Sequence, residues 1–256
     1  MSLQKYDKLK QIYKLLPENV VVPSGWLVEQ GCSRQLIYKY IKGGILKRVG
    51  FSSYARVESS ITWEGAVIGI QHFAKLPFYV GGLTALNLWG FAHYLPLGNV
   101  DEIALYGEKN PPAWIKNLKI KQHLVFYKKP WFDLIGLKPY PTKIRDMDIL
   151  VSSPERALFE MLYLVEKEGV TFNYATELFE SLTSLRPSLL NELLKRCESV
   201  KVKRLFLYLS DRYRHPWINY IDKKDVDIGT GKMQIVKNGR FDKKYLITVP
   251  KEFDAS

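Results

Sequence analysis

Cysteine is almost missing: Cys32 and Cys197 are the only two in 256 residues. They lie far apart and neither has a metal-ligand spacing. A disulfide framework or a zinc finger is therefore not expected, and a reducing cytoplasm is the simplest location. Histidine is also scarce. His72, His93, His123 and His215 are scattered and do not form a His-Glu-x-x-His pair or any comparable spacing. The beginning of the chain, Met-Ser-Leu-Gln-Lys, lacks the apolar core of a secretory signal. Long hydrophobic runs are missing too. Leu76 to Val100 contains no Asp, Glu, Lys or Arg and is long enough to span a bilayer, but Pro77, Asn87, His93, Pro96, Asn99 and four glycines interrupt it. A buried strand–turn–helix is expected there, and no membrane partner. Internal repeats and low-complexity segments are also absent.

Negative charge is the other shortage, with 26 acidic residues against 38 basic ones and a net charge of +12. The excess is unevenly placed. Residues 1–57 carry a net +7, residues 58–194 a net −2, and residues 195–256 a net +7. Basic ends around a near-neutral middle point to surfaces for a polyanion rather than to general solubilisation. With 46% hydrophobic residues the chain has enough apolar material for a real core, in one large domain or two ordinary ones.

The basic N-terminal part has a recognisable local grammar between Pro23 and Arg56. Ser24 is positioned to cap a short helix through Val28, and Gly31 to end it in a tight turn. Ser33 offers its hydroxyl to the free N–H groups of a second helix, Arg34 to Lys42. On that helix Leu36, Ile37, Tyr40 and Ile41 share one face, as a 3.6-residue period requires. The other face carries Arg34, Gln35, Tyr38, Lys39 and Lys42. Gly43-Gly44 stops the helix. A strand at Ile45–Val49, a hinge at Gly50 and a second strand around Ser53–Arg56 make a basic hairpin of the right length for a wing. Long donors and an aromatic on a solvent-facing helix suit the DNA major groove. The expected DNA contacts are Ser33, Arg34, Gln35, Tyr38 and Lys39 at base edges and nearby, with Lys42 on phosphate. Lys47, Arg48, Ser52 and Ser53 would contribute from the wing.

Elsewhere the reading is coarser. A first helix is expected over Lys5 to Leu15 and a short strand at Val20–Val22. A linking helix should run from Ser60 to about Phe73. Strands are expected at Phe78–Val80, Asp101–Tyr106, Leu118–Tyr127 and Met147–Val151, with a short helix from Thr84 to Phe91. Ser153-Pro154-Glu155-Arg156 opens a helix with serine as cap and proline at its first position. Helices follow near Tyr174–Ser181, Ser188–Cys197 and Val202–Arg212. Asn219 to Pro250 reads as a small set of antiparallel strands. The expected class is α+β: a winged helix-turn-helix at 1–57, a linker helix at 58–76 and a larger mixed α/β C-terminal domain at 77–256.

Three blocks, in this order, resemble the AbiEi family of abortive-infection antitoxins of type IV toxin–antitoxin systems. The first runs from Gly31-Cys32-Ser33-Arg34-Gln35-Leu36 through Gly44–Val49 to Tyr54. The second is Tyr79-Val80-Gly81-Gly82-Leu83-Thr84-Ala85-Leu86-Asn87-Leu88-Trp89-Gly90-Phe91. The third is Ser153-Pro154-Glu155-Arg156-Ala157-Leu158-Phe159-Glu160 with the later run Lys201–Leu205. Ser53 departs from the pattern, standing where related wings usually carry glycine. The resemblance implies a head that binds inverted repeats in double-stranded DNA of its own promoter. It also implies a C-terminal domain that counters a nucleotidyltransferase toxin without a stable complex between the two. No catalytic residue, metal or cofactor is expected.

Rival readings stay open at this stage. The second domain of a plain winged-helix regulator would sense a ligand or dimerise. A metal-dependent nuclease would use Asp146 and Asp148, or the triplets Asp222-Lys223-Lys224 and Asp242-Lys243-Lys244. Gly229-Thr230-Gly231-Lys232 lacks the spacing of a phosphate-binding loop. In the block from Ser153 to Glu160, Glu155 favours the helix dipole and Arg156 can pair with Glu160 four residues on. Tyr208, Tyr213, His215 and Trp217, interleaved with basic residues, are either core or a stacking platform for bases. In the second case Lys201, Lys203, Arg204, Arg212 and Arg214 would form a second nucleic-acid surface.

Overall fold

The computed structural model describes residues 12–91, 101–128, 134–224 and 226–253. Most of the expected helix Lys5 to Leu15 lies outside these residues, as does His93; residues 12–15 are helical. The chain divides into two compact units. One comprises Met1–Tyr79, Val100–Lys128 and Pro139–Leu150, the other Val80–Asn99, Lys129–Lys138 and Val151–Ser256. Among the described residues no helix is long and apolar enough to cross a membrane.

The first unit begins with a winged helix-turn-helix. Strand β1 (Val22–Pro23) leads into helix α1 (Ser24–Glu29), and helix α2 (Arg34–Lys42) follows a turn at Gly31, whose φ of +82° suits glycine. Strands β2 (Leu46–Gly50) and β3 (Ser53–Arg56) form the wing. The three strands pair antiparallel in the order β1-β3-β2, with Val22 opposite Tyr54 and Lys47 opposite Ala55. As the middle strand, β3 is buried along its whole length. Val20, Val21, Val22, Leu27, Ile37, Tyr40, Leu46 and Ala55 fill the core beneath. One local expectation fails: Ser24 is the first helical residue rather than the cap, which is Pro23, and Ser24 N–H instead donates to the Ser52 carbonyl at 2.8 Å.

The linking helix is shorter than its apolar pattern suggests. Thr62 caps α3 (Trp63–Ile68), and the chain then widens into a π-helical turn, Gly69–Phe73. Later in the same unit, β5 (Glu102–Tyr106) and β6 (His123–Tyr127) run parallel, in register from Glu102 opposite His123 to Tyr106 opposite Tyr127. Between them lies a 3-10 turn, Ala113–Asn117.

With β4 (Tyr79–Val80), β7 (Leu137–Pro141) and β8 (Asp148–Ser152), these strands form a five-stranded order β6-β5-β4-β8-β7. Val80 pairs in parallel with Val151. The strand β7 was not expected from the sequence.

The second unit is built from helices α4 (Gly82–Leu88), α5 (Pro154–Leu164), α6 (Phe172–Ser181), α7 (Pro187–Arg196) and α8 (Val200–Tyr213). Helix α5 is central, packing against the other four, and nearly all of its side chains are buried. The expected set of C-terminal strands is reduced to one pair, β9 (Arg240–Asp242) and β10 (Ile247–Val249). Beyond that pair, Met233 makes an isolated bridge to Ile247, and the remaining loops are held largely by side chains.

Candidate nucleic-acid interface

Helix α2 splits cleanly into two faces. Ile37 and Tyr40 are buried, Leu36 and Ile41 half-buried, whereas Arg34, Gln35, Tyr38, Lys39 and Lys42 are exposed. The Ser33 hydroxyl accepts the Leu36 N–H at 3.2 Å and fixes where the helix starts. Starting there sets the phase of every later side chain, which is why a long, polar row points outward. The Lys42 ammonium lies 5.0 Å from the Tyr38 ring centre, so a cation and an aromatic are presented together. Tyr38 is 57% exposed.

The wing is more selective than its sequence implies. Arg48 and Ser52 are exposed, but Ser53 is fully buried and opposite Pro23 in the sheet, so it is withdrawn from any ligand. Lys47 is half-buried and its ammonium donates to the Ser59 carbonyl. Arg56 is also consumed internally, bonded to Glu18 at 2.8 Å and set over the Tyr13 ring. Two of the head's cations are thus structural. At the wing tip Phe51 is 71% exposed.

The second expected surface does not assemble as one. Arg204 is buried, and its guanidinium donates to the carbonyls of Ile228 and Gly231, both at 2.6 Å, and of Leu246 at 3.1 Å. It clamps the C-terminal loops in place of a strand ladder. Lys201 is half-buried and donates to the Tyr163 carbonyl at 3.0 Å and to that of Val165; burial, reinforced by the Lys167 charge, brings its pKa down to about 8. Lys203 is half-buried, while Arg212 and Arg214 are exposed, with Arg212 lying over the Phe253 ring at 4.6 Å. The neighbouring aromatics are core. Trp217 is buried between Phe179 and Phe206, and its indole N–H reaches the Leu182 carbonyl. His215 is bonded to the Phe179 carbonyl at 3.0 Å. Tyr208 is buried as well, and Tyr213 is half-buried.

The aspartates of the two acid–lysine triplets serve turns, and Asp146 and Asp148 are exposed. Asp222 accepts the Lys224 N–H and Asp242 the Tyr245 N–H, while Lys223 and Lys244 both converge on Asp211. Among the described residues no three His, Cys, Asp or Glu side chains are grouped as a metal site would need.

The block from Ser153 to Glu160 forms the expected Arg156–Glu160 pair, but buried in a network that the sequence did not reveal. The buried Glu160 carboxylate accepts from Arg156 Nε at 2.9 Å, from the Ser152 hydroxyl at 2.9 and 3.0 Å, and from the Gly82 N–H at 2.8 Å. Arg156 also donates to the Ile135 carbonyl at 2.6 Å. Glu155, buried one residue before Arg156, takes both oxygens to Arg186 at 2.9 Å. Burial alone would push the Glu155 carboxyl up. The Arg186 hydrogen bonds outweigh burial and leave the pKa at about 2. An i,i+4 acid–base pair after a capping serine is usually a surface feature, so nothing in the spacing announced burial.

Two family models match this chain. One, described as the N-terminal domain of the AbiEi antitoxin transcriptional regulator, covers residues 5–97. The other, described as the transcriptional regulator AbiEi antitoxin of the type IV toxin–antitoxin system, covers residues 101–250. The chain belongs to the AbiEi family. It is therefore an antitoxin-type transcriptional regulator by family, with a head of the DNA-binding class. The fold is also similar to that in the crystal structure of the RV2827C protein from Mycobacterium tuberculosis, with a TM-score of 0.58 at 15% identity, over 96% of this chain and 92% of that one. No curated protein matches this AbiEi-family chain.

Proposed function

We propose that this protein is the autorepressor and antitoxin of a toxin–antitoxin operon, acting in the cytoplasm by binding and not by catalysis. In this reading residues 1–57 recognise inverted repeats in double-stranded promoter DNA, residues 58–76 link, and residues 77–256 provide the antitoxin effect against a nucleotidyltransferase toxin without a stable complex. The observation that carries the DNA half is the outward row Arg34, Gln35, Tyr38, Lys39 and Lys42 on a helix whose other face is buried. Arg34 and Gln35, in the first turn, are the base readers, since bidentate side chains near a recognition helix's start reach base edges. Lys39, Lys42 and Arg48 engage phosphates, and Ser33 and Ser52 flank them. The toxin half is supported by family membership.

The test is fluorescence anisotropy against the DNA upstream of the protein's own gene, with scrambled DNA as the control. Selective binding is expected. Arg34→Ala and Gln35→Ala should each cost about 1–3 kcal/mol on the operator and much less on scrambled DNA. Equal, weak binding to both DNAs, or operator affinity indifferent to both substitutions, would overturn this reading.

A further inference from the structure

Within the first unit, the segment after α3 and the strand β8 enclose a cleft of about 470 Å³, the size of a small-molecule site. Its two walls are bonded to each other. The Gln71 amide donates to the Phe78 carbonyl at 2.9 Å and to the Leu150 carbonyl at 3.2 Å, and its oxygen accepts the Leu150 N–H at 2.8 Å. His72 Nε2 donates to the Asp148 carbonyl at 2.7 Å. The chain reaches this geometry through the π-helical turn Gly69–Phe73 and a left-handed Lys75, with φ +51°. Turns of the first kind are frequent at functional sites, and backbone of the second kind at ligand clamps. The lining is mainly apolar and includes Leu76, Pro77, Pro139 and Ile149. Two charged side chains join it, the exposed Lys75 and Asp148, one of each sign. Lys75 pairs with Glu29 of α1 at 3.8 Å, an exposed contact of the kind that contributes little and exchanges readily.

We propose that this cleft binds a free apolar α-amino acid, whose presence weakens the head's hold on DNA. The ligand's carboxylate meets Lys75, its ammonium meets Asp148, and its side chain lies on the proline and aliphatic surface. An apolar acid or an apolar amine would answer only one of the two charges, so a zwitterion is the complementary ligand. The coupling to the head is short. Phe73 packs edge-on against Trp26 with ring centres 4.8 Å apart, and Lys75 pairs with Glu29, so the segment that walls the cleft also holds α1 at two points. A carboxylate that draws Lys75 away from Glu29 releases one of them. The effect on DNA rests on the reading of the head as a DNA binder; the binding site does not.

The experiment is equilibrium dialysis of the full-length protein against radiolabelled L-phenylalanine and L-leucine, without DNA. Unlabelled 3-phenylpropionate and phenethylamine, which each lack one of the two charges, serve as competitors. Each should compete about tenfold less well than unlabelled L-phenylalanine. Lys75→Gln and Asp148→Asn, both at exposed positions, should each weaken retention of L-phenylalanine about tenfold, and Asp148→Asn should leave 3-phenylpropionate unaffected. Anisotropy on the DNA upstream of the gene should then show affinity about fivefold lower with saturating L-phenylalanine, a shift that Lys75→Gln removes. No retained amino acid, or analogues that compete as well as the amino acid, would overturn the site. Retention that leaves DNA affinity unchanged would overturn its effect on the head. If the protein fails to distinguish operator from scrambled DNA, the autorepressor reading falls, and the dialysis still decides the cleft.

Discussion

Two stretches of this chain begin alike and end differently. Ser33-Arg34-Gln35 and Ser153-Pro154-Glu155-Arg156 each place a capping serine before polar residues in the first helical turn. On α2 those polar side chains are exposed; on α5 they are buried and bonded, Arg156 to Glu160 and Glu155 to Arg186. The same local signal therefore serves a surface in one unit and a core in the other. What separates them is the rest of the helix. Helix α2 is apolar on one face only, whereas α5 has neighbours all round and no face on which to leave a charge. Charge on α2 is free to act on a partner; charge on α5 is committed to holding the fold.

The sharpest way to break this contrast is to remove one charge from each helix. Glu160→Gln should destabilise the protein by about 3–5 kcal/mol, because the Arg156 guanidinium is left buried without its counter-charge. Arg34→Ala should shift stability by no more than about 0.5 kcal/mol. Urea denaturation of both variants checks this, and a mild effect of Glu160→Gln would mean that the buried network is dispensable.

Acid should expose the same asymmetry. Glu155 sits at about 2 in the folded protein against an ordinary value of 4.5, so its contribution is complete above the unfolded value and is lost as pH falls from there through the folded one. Stability should decline below pH ~4.5. That part of the decline should be shallower in Glu155→Gln, read from denaturation midpoints across the range. If the two profiles fall in parallel, the Arg186 pairing is not what holds the carboxylate ionised.

The smallest expected effect is at the cap itself. Ser33→Ala should cost about 1 kcal/mol of stability, within the usual range for removal of an N-cap, and should weaken operator binding by loosening the first turn that carries Arg34 and Gln35. Thermal denaturation and anisotropy together separate the two consequences. Unchanged stability would show that the turn after Gly31 fixes the helix start without the hydroxyl.

The head was largely legible because its signals are local: Ser33 at one end of α2, Gly43-Gly44 at the other, and the 3.6 period between them. Strand β7 was hidden by its own prolines, Pro139 and Pro141. Among the described residues it is the last strand in the order, and an edge tolerates residues that cannot complete a ladder. The C-terminal stretch shows the reverse error, since polar–apolar alternation there signals packing around Arg204 and forms only two short strands. Side-chain destinations were the least visible feature. The partners of Lys47, Arg204 and Glu160 lie 12, 42 and 78 residues away at their farthest, and no local pattern encodes such meetings.

The bond from Ser24 N–H to the Ser52 carbonyl ties the wing's turn to the first residue of α1, while Trp114 closes on Gly50 at the end of β2. Many loops that grip nucleic acid become ordered only on contact, and each ordered residue then subtracts from affinity through lost conformational entropy. Here that loss is incurred once, when the chain folds. On the proposed function the wing would meet DNA pre-shaped, by rigid docking rather than rearrangement, with the exposed ring of Phe51 already in place.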